Sequence, residues 1–192
     1  MQTNEEKIET EVVEEKKVKL YNKDSIKFFP AGILLKDISK PEITEVDIHI
    51  LQLIDTLKTM VIDFNAFGLA ANQIGEEEPI VMINADFKGI MINPVITQQS
   101  NEIKSIERCL SFPGVEVTVK RFNNITVQYL NEDFEEIVQD FDGTNAIVIE
   151  HEVDHINGIT FYKRASAVDK PKILRKLNKA KRVINRNFKW KF

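Results

Sequence analysis

The run AIVIEHEVDHING, residues 146–158, decides the fold and the chemistry of this chain. In a helix, His151 and His155 lie four residues apart on one face, so both imidazoles can bind one metal ion while Glu152 reaches the bound solvent. The flanking residues are apolar, which indicates a buried helix where unpaired charge is costly and a metal would explain the charged side chains. The pattern is short, and an exposed helix rich in Glu, Asp and His also produces it by chance.

A third protein ligand is needed, because catalytic metal sites usually have three and leave one position open. Cys109 is the only cysteine of the chain, and a thiolate is a strong ligand for a borderline or soft metal. We therefore expect the ligand set Cys109, His151 and His155. The other interpretations of Cys109 are a small buried apolar residue and a nucleophile paired with histidine. The nucleophile would leave Glu152 and the second histidine unused.

The composition predicts one globular domain in a reducing compartment. The chain has 192 residues, of which 43% are hydrophobic, enough for one sizeable core. One cysteine excludes an intramolecular disulfide, and the N-terminal region has no apolar run that resembles a signal peptide or a membrane span. We expect a cytoplasmic protein without membrane contact. Residues 1–19 are rich in Glu and Lys and are predicted to form a flexible arm.

Charge is distributed unevenly along the chain. Residues 170–192 hold ten Lys or Arg and no acid, whereas the whole chain has a formal charge of −4. The C-terminal segment is thus a basic helix on an acidic body. It is either a solvated face or a surface that binds RNA phosphates without sequence preference.

The hydrophobic pattern predicts helices near both ends and strands between them. Residues 43–62 show helical spacing, and so does the segment after Pro171. His49 lies beside the first apolar stripe and is interpreted as a surface or capping residue. Short β-rich runs between Pro79 and Phe141, including separate strands at 115–121 and 124–130, predict antiparallel pairing. We expect an α+β fold in which antiparallel β-sheets pack around a central helix that carries HExxH, with an N-terminal and a C-terminal helix.

The run FGLAANQIG, residues 67–75, is a turn rich in small residues. It is no phosphate loop, because it lacks the GK[ST] ending. Small residues let the backbone approach a ligand closely, and the Gln73 amide can donate a hydrogen bond to a developing oxyanion. The alternative is an ordinary, closely packed connection between a helix and a strand.

In their order along the chain, FGLAANQ, ERCLS and HEVDH resemble the three signature motifs of peptide deformylases, which remove the formyl group from nascent N-formylmethionyl polypeptides. INPVI before the second motif, SFPG after it and the trailing HINGITFYKR are also similar to that family. The resemblance covers roughly residues 60 to 164. It implies a catalytic domain over residues 20–168, followed by the basic helix at 169–192.

The resemblance implies a role for each motif. Cys109, His151 and His155 would be the metal ligands, and Glu152 the general acid and base. The native ion would be Fe(II), although the ligand types also suit Zn(II), Ni(II) and Co(II). The partners would be nascent formylated peptides and, through the basic C-terminal helix, the ribosome. A monomer is expected.

The remaining implied residues bind the substrate. Gln73 and the backbone N–H of Leu110 would hold the oxyanion, and the backbone of Gly68 would contact the peptide. Phe67, Leu110 and Ile147 would line an apolar pocket for the methionine side chain.

Three positions depart from the family pattern. Ala66 and Arg108 stand where the family usually has glycine, and Glu150 where it commonly has glutamine. We expect Arg108, Glu107 and Glu150 to form an ion-pair network near the rim of the cleft. Two other functions fit the motifs less completely: an HExxH peptidase of another lineage, and a catalytically silent ribosome-binding homologue.

Overall fold

The computed structural model describes residues 21–40 and 42–188 of the chain. Five strands and four α-helices form a mixed α/β architecture, as the hydrophobic pattern predicts. The elements are α1 (Ile48–Asp63), β1 (Gly68–Ala70), β2 (Ile80–Asn84), β3 (Lys88–Glu107), β4 (Val117–Leu130), β5 (Glu136–Asp142), α2 (Gly143–Ile156), α3 (Phe161–Arg164) and α4 (Lys170–Phe188). Short 3-10 helices occupy Lys23–Ser25, Gly32–Leu35 and Ala71–Ile74.

The strands pair in sequence order, β1-β2-β3-β4-β5, and every pair is antiparallel. The described part of the chain thus contains one sheet where we expected more than one. The two strands predicted at 115–121 and 124–130 are one strand, β4, because its backbone pairs with the long strand β3 along its whole length, with register shifts only near Ile92–Gln98 of β3. The second half of β3 is polar and mostly exposed, so it lacks the alternation that identifies a half-buried strand.

Helix α2, which carries HExxH, contacts all five strands. Its buried residues include Ala146, Ile149, Val153 and Ile156, whose side chains join the cluster formed by the inner faces of the strands. The helix ends at Ile156, and Gly158 follows with φ of +64°, in the left-handed region that favours glycine. The predicted stop at Gly158 is therefore confirmed.

Helix α1 begins five residues later than the hydrophobic pattern predicts. The Asp47 side chain accepts a hydrogen bond from the Ile50 N–H and caps the helix, so the residues before it are not helical. Leu53, Leu57 and Val61 are fully buried and pack α1 against β1 and β2.

Two buried apolar residues anchor helix α4 on the body, and Lys181 Nζ adds a hydrogen bond to the Phe29 carbonyl oxygen at 2.6 Å. Ile173 and Leu177 are buried in a cluster with Phe112 and Phe161. Val183, further along the same helix, is exposed. None of the helices among residues 21–40 and 42–188 has both the length and the apolar character that a membrane crossing requires. The predicted arm at 1–19 lies outside the described residues, and the division into arm, body and basic helix stays a prediction.

The turn after α2 yields a prediction about stability. A Cβ atom on Gly158 would lie 2.7 Å from the Leu35 carbonyl oxygen, in addition to the left-handed backbone strain. We expect Gly158→Ala to lower the free energy of unfolding by roughly 2–4 kcal/mol. Gly143 has positive φ but open space around it, so Gly143→Ala should cost only about 1 kcal/mol.

Gly32→Ala is the matched control, because a Cβ atom there would have nothing within 4 Å. Its effect should stay within about 0.5 kcal/mol. Urea unfolding measures the free energy of unfolding of all three variants. Equal values for the Gly158 and Gly32 variants would contradict the predicted role of Gly158.

Candidate active site and metal centre

Two segments bring three metal-ligating side chains together. Cys109 lies in the turn that follows β3, and His151 and His155 lie one turn apart in α2. Their ligand atoms are all within 4.8 Å of one another, and Cys109 Sγ is 3.3 Å from His155 Nε2. Cys109 is half-buried and both histidines are buried. The three expected ligands therefore form one cluster.

The chemistry of this cluster fits a divalent transition metal. Thiolate and imidazole are the donors that such ions prefer, and three protein ligands leave a position for water or substrate. Beside the ligands lies Glu152, whose Oε2 is buried and has no hydrogen-bond partner within the described part of the chain. A buried acceptor of this kind requires an explanation, and a bound group at the cluster supplies one.

Glu107 fixes the orientation of His151. Its Oε2 is 2.8 Å from His151 Nδ1, which leaves Nε2 of the ring on the side of the cluster. Burial opposes ionisation of Glu107, but hydrogen bonds from His151 and Arg121 outweigh it and lower the pKa of this carboxyl to about 2. A carboxylate behind a metal-binding histidine sets the tautomer and makes the ring a better ligand.

Arg121 connects this carboxylate to the other end of the HExxH run. It is 1% exposed, and its Nε and Nη2 donate to the two oxygens of Glu107 at 2.7 and 3.0 Å. Its Nη1 donates to Asp154, which also accepts hydrogen bonds from Arg164. Our sequence interpretation missed this network. An arginine among the apolar residues of β4 was the available signal, because a buried charge needs a partner.

Gly68 allows Glu152 to lie against the backbone of β1. A Cβ atom on Gly68 would lie 2.6 Å from Glu152 Oε1 and 2.8 Å from its Cγ, so any other residue would displace the Glu152 side chain. Burial raises the pKa of the Glu152 carboxyl to about 7. A carboxyl with a pKa near neutrality can both accept and return a proton at cellular pH.

The Gln73 side chain is held with its amide N–H groups toward Cys109 Sγ. Its Oε1 accepts the Ala70 N–H at 2.9 Å, and its Nε2 donates to Ser111 Oγ at 3.3 Å. The same Nε2 is 3.5 Å from Cys109 Sγ. Ser111, absent from our expected site, thus helps to hold an amide that can donate to an oxyanion near the cluster.

The cluster lies in a cleft of about 860 Å³. Phe67, Leu110 and Ile147, which the family resemblance assigns to a methionine pocket, line it together with Gly68. Leu110 and Ile147 are half-buried, whereas Phe67 is 65% exposed. The cleft therefore combines an apolar wall with the polar groups of the cluster.

The prediction that Arg108, Glu107 and Glu150 form an ion-pair network at the rim of the cleft is wrong. Arg108 is exposed and donates to Glu116 from Nε and Nη2 at 3.0 and 2.7 Å. Glu107 points inward to Arg121, so it is not at the rim. Glu150 is buried, accepts hydrogen bonds from the Phe122 N–H and from Gln99, and has its pKa raised by burial.

The chain is similar to known proteins in both sequence and structure. A family model described as polypeptide deformylase matches residues 25–171. Peptide deformylase of Carboxydothermus hydrogenoformans is 39% identical over 137 residues, which cover 70% of this chain and 89% of the relative. The one of Aquifex aeolicus is 37% identical, with 72% and 85% covered. The crystal structure of a peptide deformylase from Legionella pneumophila superposes with a TM-score of 0.79 at 30% identity, covering 84% of this chain and 97% of that one.

The hydrogen bond between Glu107 and His151 yields a prediction about metal affinity. Glu107→Gln keeps the shape of the side chain but removes the charge behind the imidazole. We expect it to weaken Zn(II) binding by about 10–100-fold, measured by competition with a chromophoric chelator. Glu116→Gln, which changes an exposed carboxylate paired with Arg108, is the control and should bind as the unmodified chain does. Equal affinities for the two variants would show that Glu107 does not support the site.

Proposed function

The chain belongs to the polypeptide deformylase family of metal-dependent hydrolases, and on that basis we propose which of its residues hydrolyse the N-formyl group of nascent formylmethionyl peptides. The observation that carries the proposal is the cluster of Cys109, His151 and His155 beside the buried carboxyl of Glu152. One divalent ion would bind these three residues. Fe(II) is our proposed native ion, and Zn(II), Ni(II) and Co(II) also suit the donors.

Glu152 carries out the proton transfers of the reaction. A bound divalent ion supplies Lewis acidity, which acidifies water and polarises the formyl carbonyl. Glu152 accepts the proton of the attacking water and returns it to the departing amine nitrogen, so the carboxylate is regenerated in each turnover. The C–N bond of the formamide breaks, and formate and a free N-terminus are released.

Two donors stabilise the negative charge that develops on the carbonyl oxygen. We assign the first donor to Gln73 Nε2, which lies 3.5 Å from Cys109 Sγ in the cleft. We assign the second donor to the backbone N–H of Leu110, which also lines the cleft. Donors that are held in place before the reaction cost no reorganisation when the charge develops. The hydrogen bond from Ala70 to Gln73 Oε1 supplies that fixed orientation.

The substrate would lie along the cleft with its first side chain on the apolar wall. Phe67, Leu110 and Ile147 provide a surface for the flexible thioether of methionine. The backbone of Gly68 would contact the peptide directly. The cytoplasm is the compartment that we propose, since a thiolate ligand needs reducing conditions to stay unoxidised.

Glu152→Gln tests the proton transfer. The amide keeps the size of the side chain but cannot accept a proton, so kcat should fall by about 10²–10⁴-fold while the metal stays bound. Formate release from a formyl-Met-Ala-Ser peptide, measured anaerobically with Fe(II)-loaded protein, gives the rate. Glu116→Gln changes a carboxylate at the rim of the same cleft and is the control. Turnover within threefold of the unmodified chain would overturn the assignment of Glu152.

We also propose that the outer face of α4 contacts ribosomal RNA. Arg175, Lys176, Lys179 and Arg182 are exposed on this helix, whereas Ile173 and Leu177 are buried. Deleting residues 170–192 would expose the core around Phe161, so the charges must be removed without removing the helix.

Replacing Lys176, Lys179 and Arg182 with Gln should weaken cosedimentation with ribosomes, and the loss should be largest at low salt. Each phosphate contact that is removed lowers the slope of log K against log salt by about 1. The matched control replaces Lys40, Lys58 and Lys120 with Gln; these lysines are not part of α4 and pair with Glu42, Glu132 and Glu102. Equal binding by the two triple variants would refute the docking face.

A further inference from the structure

Asn72 links the segment of Gln73 to helix α2 at His155. It stands in the 3-10 helix Ala71–Ile74, directly before Gln73, and it is fully buried. Its Nδ2 donates a hydrogen bond to the backbone carbonyl of His155, although the two residues are 83 positions apart in sequence. One short side chain thus joins the segment of the oxyanion donor to the turn of α2 that carries the second histidine.

The position of Gln73 depends on contacts outside its own segment. A 3-10 helix of four residues has few internal hydrogen bonds of poor geometry, so its surroundings determine where it lies. On one side, the Gln73 carbonyl accepts the Lys27 N–H at 2.7 Å. On the other side, the amide of Asn72 attaches the segment to α2. Without that amide, the segment can shift relative to the helix that carries His151 and His155.

Capping of helix α2 does not explain the buried amide of Asn72. The His155 carbonyl also accepts the Gly158 N–H at 3.1 Å, so it has a partner without Asn72. An apolar residue at position 72 would therefore leave this carbonyl paired, and it would avoid the cost of removing an amide from water. What the amide adds is a hydrogen bond of defined direction between two parts of the site.

The same two residues carry a buried donor and a buried acceptor that are unpaired within the described part of the chain, His155 Nδ1 and Asn72 Oδ1. The other ring nitrogen, Nε2, is 3.3 Å from Cys109 Sγ and is therefore the one on the side of the cluster. When Nε2 binds a metal, Nδ1 carries the hydrogen and needs an acceptor. Asn72 Oδ1 is an acceptor of that kind, on the side chain that already binds the backbone of this histidine. One buried water can bridge two such groups.

We propose that Asn72 is a positioning residue, which holds the oxyanion donor Gln73 and the metal ligand His155 at a fixed separation. The inference rests on the proposed function, because that function gives Gln73 and His155 their roles. Asn72 is not among the residues that line the cleft, so it acts through these two neighbours. Its loss should therefore change both the geometry of the bound ion and the stabilisation of the transition state.

Asn72→Ala and Asn145→Ala form a matched pair of variants. Asn145 also attaches α2 to another segment, since its Oδ1 accepts the Phe87 N–H at 2.8 Å, but it does so in the first turn of the helix. Both variants lose an amide that tethers α2, so a general loosening of the helix would affect both. Asn72→Leu is a second variant, because it keeps the number and branching of the side-chain heavy atoms and removes only their polarity.

The Co(II)-loaded chain reports on the metal geometry without turnover. The visible absorption bands of Co(II) depend on the arrangement of its ligands. We expect both Asn72 variants to change the position or intensity of these bands and to weaken Zn(II) binding by about tenfold or more. Asn145→Ala should keep the spectrum and the affinity of the unmodified chain. If the Asn72 variants keep both as well, Asn72 does not position His155 and the proposal is wrong.

Formate release tests the effect on Gln73. Because an oxyanion donor acts on the transition state, the Asn72 variants should lower kcat by about 10–100-fold and change KM by less than about threefold. An equal loss of kcat in Asn145→Ala, or loss of the folded circular dichroism spectrum in both Asn72 variants, would show a general structural role and overturn the proposal. If the unmodified chain releases no formate, the proposed function fails, and the Co(II) and Zn(II) measurements alone decide whether Asn72 positions His155.

Discussion

The buried guanidinium of Arg121 is the group on which the geometry of the site depends. It joins Glu107 at the end of β3 to Asp154 in α2, and it stands itself on β4. Glu107 then fixes His151, while Cys109 follows Glu107 by two residues. The position of the thiol and the orientation of the first histidine are thus set by one network that spans two strands and a helix.

Such a network contributes more to geometry than to stability. Removing charges from water costs several kcal/mol per ion, and a buried ion pair often only offsets that cost. Breaking it is different, because one lost partner leaves the other charges buried and uncompensated. We infer that the chain retains Arg121 because a metal ligand held to within a fraction of an ångström needs polar contacts of defined direction, which apolar packing does not supply.

The sequence revealed the features that depend on residues close together along the chain, and it missed those that depend on distant residues. Periodicity and motif spacing identified α2, its stop at Gly158 and the cluster of Cys109, His151 and His155, because those signals are local or belong to short motifs. Arg121 and Ser111 were missed, since their partners are distant in sequence and come together only in the folded chain. The polar half of β3 was missed because backbone pairing with β4 holds it, without an apolar face.

X-ray absorption at the metal edge of the loaded protein tests the central claim most directly, namely that one ion is held by the thiolate of Cys109 and by both imidazoles of the HExxH run. For the Zn(II) form the account predicts one sulfur neighbour at about 2.3 Å and nitrogen or oxygen neighbours at about 2.0–2.1 Å, with the multiple scattering of two imidazoles. A first shell without sulfur would contradict the account, because the ion would then be held as in HExxH enzymes of another lineage.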